Sequence, residues 1–202
     1  NMQLTKTTSG TPDSGFDCIN EGRMCLADCR DTLYPFSTQI YRRAHICKQE
    51  NKTCFGIMDG LLTNQPDDVI VVLGINHKLT NMSSYASVSI YDSVYLWGTN
   101  TIGDEQLSNT SQKYINPLIP MKPTLQETLP FIYVYEFRRD CSNRTNCLEV
   151  QSIPSLKSNA FIPYEDPISI TERMYNNPET HAGPASAQVV LPVVVHLRRR
   201  YQ

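Results

Sequence analysis

The chain has 202 residues, 40% of them hydrophobic, and a formal net charge of −2. That length suits one large domain with a real core, and the near-neutral balance excludes nucleic-acid binding driven by charge. No run approaches the roughly 18 apolar residues that a membrane-crossing helix needs; the longest, Val189 to Leu197, is broken by Pro192 and His196.

Residues 1–15 are polar, with Met2 and Leu4 the apolar exceptions. They are expected to form an extended tail, with a single domain over residues 16–202. Such a tail is a candidate donor strand, and Met2 and Leu4 are its candidate anchors. No targeting segment precedes Asn1-Met2-Gln3, so the chain is expected to be a mature or truncated form. Residues 16–58 hold five of the seven cysteines and are expected to be irregular. Tyr34, Pro35, Phe36, Ile40 and Tyr41 are expected to tuck that segment onto the core.

Strand signals begin at Val69. The run Val69-Ile70-Val71-Val72-Leu73 predicts a strand buried on both faces. Tyr85 to Trp97 alternates with period two. Ala86, Val88, Ile90, Val94 and Leu96 fall on one face; Tyr85, Ser87, Ser89, Tyr91, Ser93, Tyr95 and Trp97 fall on the other. Asp92-Ser93 is a candidate turn within it. Residues 98–130 are turn-rich. Phe131 to Phe137 predicts another strand, followed by a cysteine loop and Leu148-Glu149-Val150. Ile168 to Tyr175 predicts a further strand, and Gln188 to Arg199 the last. Pro192 cannot donate to a ladder, so an edge or a bulge is expected there. No amphipathic helix longer than two turns is evident. The pattern is all-β: two packed sheets in a jelly-roll-like β-sandwich, with a cysteine-rich irregular N-terminal segment.

Cys18 with Cys25, Cys47 with Cys54, and Cys141 with Cys147 would each close a short polar loop, leaving Cys29 unpaired or free to bond another chain. A Cys18–Cys29 bridge or a longer link stays open. Four Asn-x-Ser/Thr sequons start at Asn51, Asn81, Asn109 and Asn143. Cysteines and sequons together predict a secreted, extracellular protein bearing N-linked glycans. No metal or cofactor is expected. A zinc reading of Cys25 and Cys29 with His45 or Cys47 lacks paired CxxC knuckles.

No catalytic set stands out, so no enzyme is expected. His77 is read as a hydrogen-bonded histidine at a strand exit, and His181 as a turn residue. Glu172 and Arg173 are expected to make cross-strand pairs. Ser155 and Ser186 have no activating partner in sequence. The pairs Asp67/Asp68, Asp104/Glu105 and Glu165/Asp166 are adjacent, so their members should point to opposite faces rather than act together. Arg198-Arg199-Arg200 is read as a solvated end. Tyr85, Tyr91, Tyr95 and Trp97 could stack on sugar rings, which makes a lectin-like module the alternative function.

Five stretches carry a resemblance. They are Cys25-Leu26-Ala27-Asp28-Cys29-Arg30-Asp31-Thr32, Asp67 to His77, Tyr133 to Cys141, Cys147 to Val150, and Glu172 to Pro184. As a set they resemble an uncharacterised secreted domain frequent in algal and other microbial proteins, over residues 18–197. That family has Asn where this chain has Cys29, which implies either that Cys29 is the odd thiol or that a bridge particular to this lineage runs from it into the 47–54 region. The chain also resembles subunits of glycosylated extracellular fibrils from environmental water samples. The resemblance implies a structural subunit whose partners are copies of itself, joined when one subunit lends an extended segment to the sheet of the next.

Overall fold

The structure is a computed structural model that describes residues 2–8, 13–14, 32–34, 61–92, 97–114, 122–154, 160–184 and 186–199. Cys18, Cys25, Cys29, Cys47, Cys54, Asn51, Tyr95 and Ser155 lie outside them, and with them the Cys18–Cys25 and Cys47–Cys54 pairings and most of the cysteine-rich segment.

The regular structure of the described residues is mostly strand, in two five-stranded sheets. The first sheet has the order β1 (Met2–Thr8), β10 (Val193–Arg199), β4 (Val69–Ile75), β7 (Ile132–Arg138), β8 (Cys147–Glu149). The second has the order β2 (Asp13–Ser14), β3 (Thr32–Tyr34), β9 (Ile168–Tyr175), β5 (Tyr85–Asp92), β6 (Trp97–Gly103). All described pairings are antiparallel except β7 with β8. The described α-helices are α1 (Asp104–Leu107) and α2 (Pro123–Thr128), each under two turns.

Both sheets feed one hydrophobic cluster. Ile70, Val72, Tyr133 and Phe137 come from the first sheet, and Val88, Ile90, Ile168 and Ile170 from the second. The period-two alternation of each strand puts these residues on one face. In β7, Tyr133, Tyr135 and Phe137 are buried, while Ile132 and Val134 are half-buried. Gly74 is required by this packing, because a Cβ there would lie 2.4 Å from the Tyr133 hydroxyl. Gly183 is required where the loop after β9 meets β3, since its Cβ would lie 2.9 Å from Thr32 backbone atoms.

Arg139 ties the connecting segments to this core. Its guanidinium donates to the carbonyls of Leu62 (2.8 Å), Val150 (3.2 Å), Gln151 (3.1 Å), Ile162 (2.6 Å) and Pro163 (3.0 Å). Tyr164 lies against it, 4.8 Å from the ring centroid. Three chain segments with no strand partner thus have their carbonyls satisfied by one side chain, as buried backbone requires.

Four expectations are corrected. Residues 98–103, read as the start of a turn-rich stretch, form β6 together with Trp97, held by a ladder with β5 that shifts register between Ile90 and Tyr91. The last strand begins at Val193 rather than Gln188, so Pro192 stands just outside it. β10 lies between β1 and β4 rather than at an edge. β4 is not buried on both faces: Ile70 and Val72 face the core, while Leu73 is 41% exposed.

Candidate functional site

Residues 2–8 pair with β10 over seven positions, from Met2 opposite Arg199 to Thr8 opposite Val193. The register sets Leu4 opposite Leu197 and Thr5 opposite His196. On its other side β10 pairs with β4, from Val193 opposite Leu73 to Leu197 opposite Val69. Among the described residues β1 is therefore the edge of the first sheet. Only residues 9–12 separate it from β2, which belongs to the second sheet.

β10 has anchors besides β1. Asp68, buried at the start of β4, takes a 2.6 Å contact from His196 Nε2 and hydrogen bonds from Thr63 N (2.8 Å) and Thr63 Oγ1 (2.6 Å). Arg198 Nη2 stands 3.5 Å from Asp68 and donates to the Leu61 carbonyl. Burial pushes the Asp68 carboxyl up, but the hydrogen bonds from His196 and Thr63 outweigh it and hold the group below the usual carboxylate range. At the approach to β10, His77 Nε2 lies 3.1 Å from the Val190 carbonyl. Burial pushes the His77 imidazole down, so it is the hydrogen-bonded strand-exit histidine the sequence predicts. The Arg198 end is not simply solvated, as expected from sequence; it belongs to the Asp68 cluster.

The outward face of the first sheet is aliphatic. Val71, Ile75, Val134, Val193 and Val195 are half-buried there around exposed Leu73. At the β7–β8 end this face becomes charged. Glu136 accepts from Tyr114 Oη (2.7 Å) and Arg138 Nε (2.7 Å), with Lys113 Nζ at 3.6 Å.

Glu172 does not make the expected cross-strand pair. Its neighbour in the ladder is Val88, and its Oε1 accepts from Tyr133 Oη at 3.0 Å, across the interior from the other sheet. Glu172 is 1% exposed, and its Oε2 has no hydrogen-bond partner among the described residues. Burial raises it to about 8, against a smaller opposite pull from the Tyr133 hydroxyl.

The acidic pairs behave as their adjacency predicts. Asp68, Asp104 and Asp166 are buried, and Asp67, Glu105 and Glu165 exposed. Asp104 pairs with Lys78 at 2.6 Å. His181 sits exposed in a turn with φ 54°. Among the described residues no three His, Cys, Asp or Glu side chains converge as metal ligands, and no helix is long and apolar enough to cross a membrane.

The aromatic strip is split. Tyr85 packs on Tyr175 at 5.7 Å between ring centroids at one end of β5, and Trp97, 66% exposed, stands at the other. Ser87 and Ser89 between them are buried, and half-buried Tyr91 lies over Gly98. Of the sequon asparagines, Asn81, Asn109 and Asn143 are all exposed. Cys141 and Cys147 are bonded.

The Asp68–His196 pair spans 128 residues. Nothing local in either stretch signals it; only the general rule that a buried carboxylate needs a partner would have prompted the search.

No protein-family model matches the chain, and a search of the curated proteins finds no match. Among solved structures, the VPA0106 protein from Vibrio parahaemolyticus is similar at 15% identity with a TM-score of 0.34. The match covers 68% of this chain and 27% of that one.

Proposed function

We propose that this chain is a structural subunit of an extracellular glycoprotein fibril or coat, a jelly-roll-like β-sandwich that self-assembles by strand addition. The observation that carries the reading is the β1–β10 ladder: a seven-residue strand at a sheet edge, on a template that is also anchored to β4 and Asp68. A copy that releases β1 from its own β10 offers an open edge to the β1 of another. Backbone hydrogen bonds then supply affinity, and register supplies specificity. A head-to-tail contact that does not close propagates. The resemblance to secreted microbial domains and to environmental fibril subunits supports the same reading, as do the Cys141–Cys147 bond and the exposed sequons.

The test is negative-stain electron microscopy of the glycosylated, undenatured protein beside a variant lacking residues 1–8. Filaments are expected from the full chain and not from the variant. A full chain that stays dispersed at high concentration sinks the proposal.

Exposed Trp97 favours one second reading, a secreted carbohydrate-binding module. Trp97 is the sole tryptophan, so its fluorescence reports that face directly. Quenching by a polysaccharide would favour this module, and silence across a glycan panel would remove it.

A further inference from the structure

Asn81, Asn109 and Asn143 are far apart in sequence, yet their loops are joined. Asn76, in the loop after β4, donates through Nδ2 to the Asp104 carbonyl (2.8 Å) and to Ser108 Oγ (3.3 Å). Lys78 in the same loop pairs with Asp104. The segment after β6 in turn meets the disulfide loop: Asn146 Nδ2 donates to the Thr110 carbonyl at 3.0 Å, and Lys113 donates to the Thr145 carbonyl. Asn81 and Asn109 both hold φ of 60°, the left-handed conformation of a turn, which asparagine tolerates.

The Asn109 and Asn143 loops also cover one side of β7. Val134 N donates to Thr110 Oγ1 at 3.0 Å and Glu136 N to the Asn146 carbonyl at 2.9 Å; three-residue β8 takes the remainder. That side is the far edge of the first sheet from β1. Asn109 and Asn143 therefore sit on linked loops at the β7–β8 edge; Asn81 sits on a loop that is joined to them at Asp104 and that also reaches Val190, before β10, through His77.

We infer that these loops form a single glycan-bearing flank, and that N-linked oligosaccharides on it bar strand addition and lateral contact at the β8 side, leaving β10 as the edge through which copies join. The inference rests on the assembly reading above. The modification is a group transfer. The Asn side-chain nitrogen loses a proton and bonds to C1 of a sugar carried on a lipid pyrophosphate, and the pyrophosphate leaves with the bonding pair. Ser83 and Ser111, the hydroxyl residues of two sequons, are buried at 1% and 4%. Attachment at Asn81 and Asn109 therefore precedes closure of these loops. Thr145, the third, is exposed. A short edge strand beside bulky, hydrated sugar is a blunted edge.

The experiment uses the full glycosylated chain. Glycopeptide mass spectrometry reads occupancy at Asn81, Asn109 and Asn143, and electron microscopy reads filament width before and after endoglycosidase treatment of the folded protein. Occupied sites are expected, with single filaments before treatment and side-by-side bundles after it. A variant carrying Asn81→Gly, Asn109→Gly and Asn143→Gln is expected to bundle in the same way; the enzyme-treated sample decides if that variant does not fold. Empty sites, or filaments of unchanged width after sugar removal, overturn the inference while leaving the assembly reading intact. Absence of filaments from the untreated glycoprotein is the failure of the assembly reading itself.

Discussion

Glu172 is the least comfortable residue in the described interior. Its carboxyl lies between the sheets with Tyr133 as its hydrogen-bond partner, and burial raises its titration from 4.5 to about 8. Between those values the folded state holds a proton that the unfolded state has lost. Stability therefore falls as pH rises from about 4.5 to about 8, then levels off. The shift corresponds to on the order of 4–5 kcal/mol, a large share of a domain's stability. Glu172→Gln stays neutral and keeps an oxygen for the Tyr133 hydroxyl. Urea denaturation should find it equal to the parent near pH 5 and several kcal/mol more stable at pH 8.5. Parallel pH profiles for the two proteins would show that Glu172 is solvated after all. Neither this residue's burial nor its partner was legible in sequence. A glutamate followed by an arginine in a strand reads as surface, and only the paired sheet puts it opposite Tyr133.

At the level of elements, legibility followed how much of each strand's stability is carried by its own side chains. β7 and β9 were read nearly to their ends, because Tyr133, Tyr135, Phe137, Ile168 and Ile170 mark a buried face at period two. β6 was missed because Gly98, Asn100 and Gly103 are poor strand formers, and its conformation comes from the ladder with β5. β1 is polar for the same reason that it reads as a tail: its partner, the valine-rich β10, supplies the template. The disulfide loop shows an element that depends on a covalent bond. Residues 141–147 enter β8, and the Asn146 carbonyl receives Glu136 N. Closing so short a loop restricts the unfolded chain by about 2 kcal/mol. Replacing Cys141 and Cys147 together by serine should lower stability by about that amount in chemical denaturation. Hydrogen exchange should accelerate first at the amides of Cys147–Glu149. Unchanged protection there would mean that Arg139 and the β7 ladder hold the strand unaided.

For the whole molecule, the question is why a strand that fits its own sheet should ever join another. The closed chain and the polymer make the same ladder, so those bonds alone do not choose between them. A short tether gives the cis strand an effective concentration of about millimolar, so dilute protein with a relaxed link should stay closed. Two features tilt the balance the other way. Only four residues separate β1 in one sheet from β2 in the other, and short connections invite exchange. The aliphatic outer face around Leu73 also gains by being covered when copies stack. The first makes the link between β1 and β2 the control. Inserting six Gly and Ser residues between Thr8 and Asp13 should relax the closed form and yield monomers. Deleting two residues from 9–12 should drive exchange and lower the concentration at which polymer appears, on the order of tenfold. Light scattering over a dilution series measures both. If insertion and deletion shift the threshold equally, or not at all, then β1 does not exchange and the copies meet through another surface.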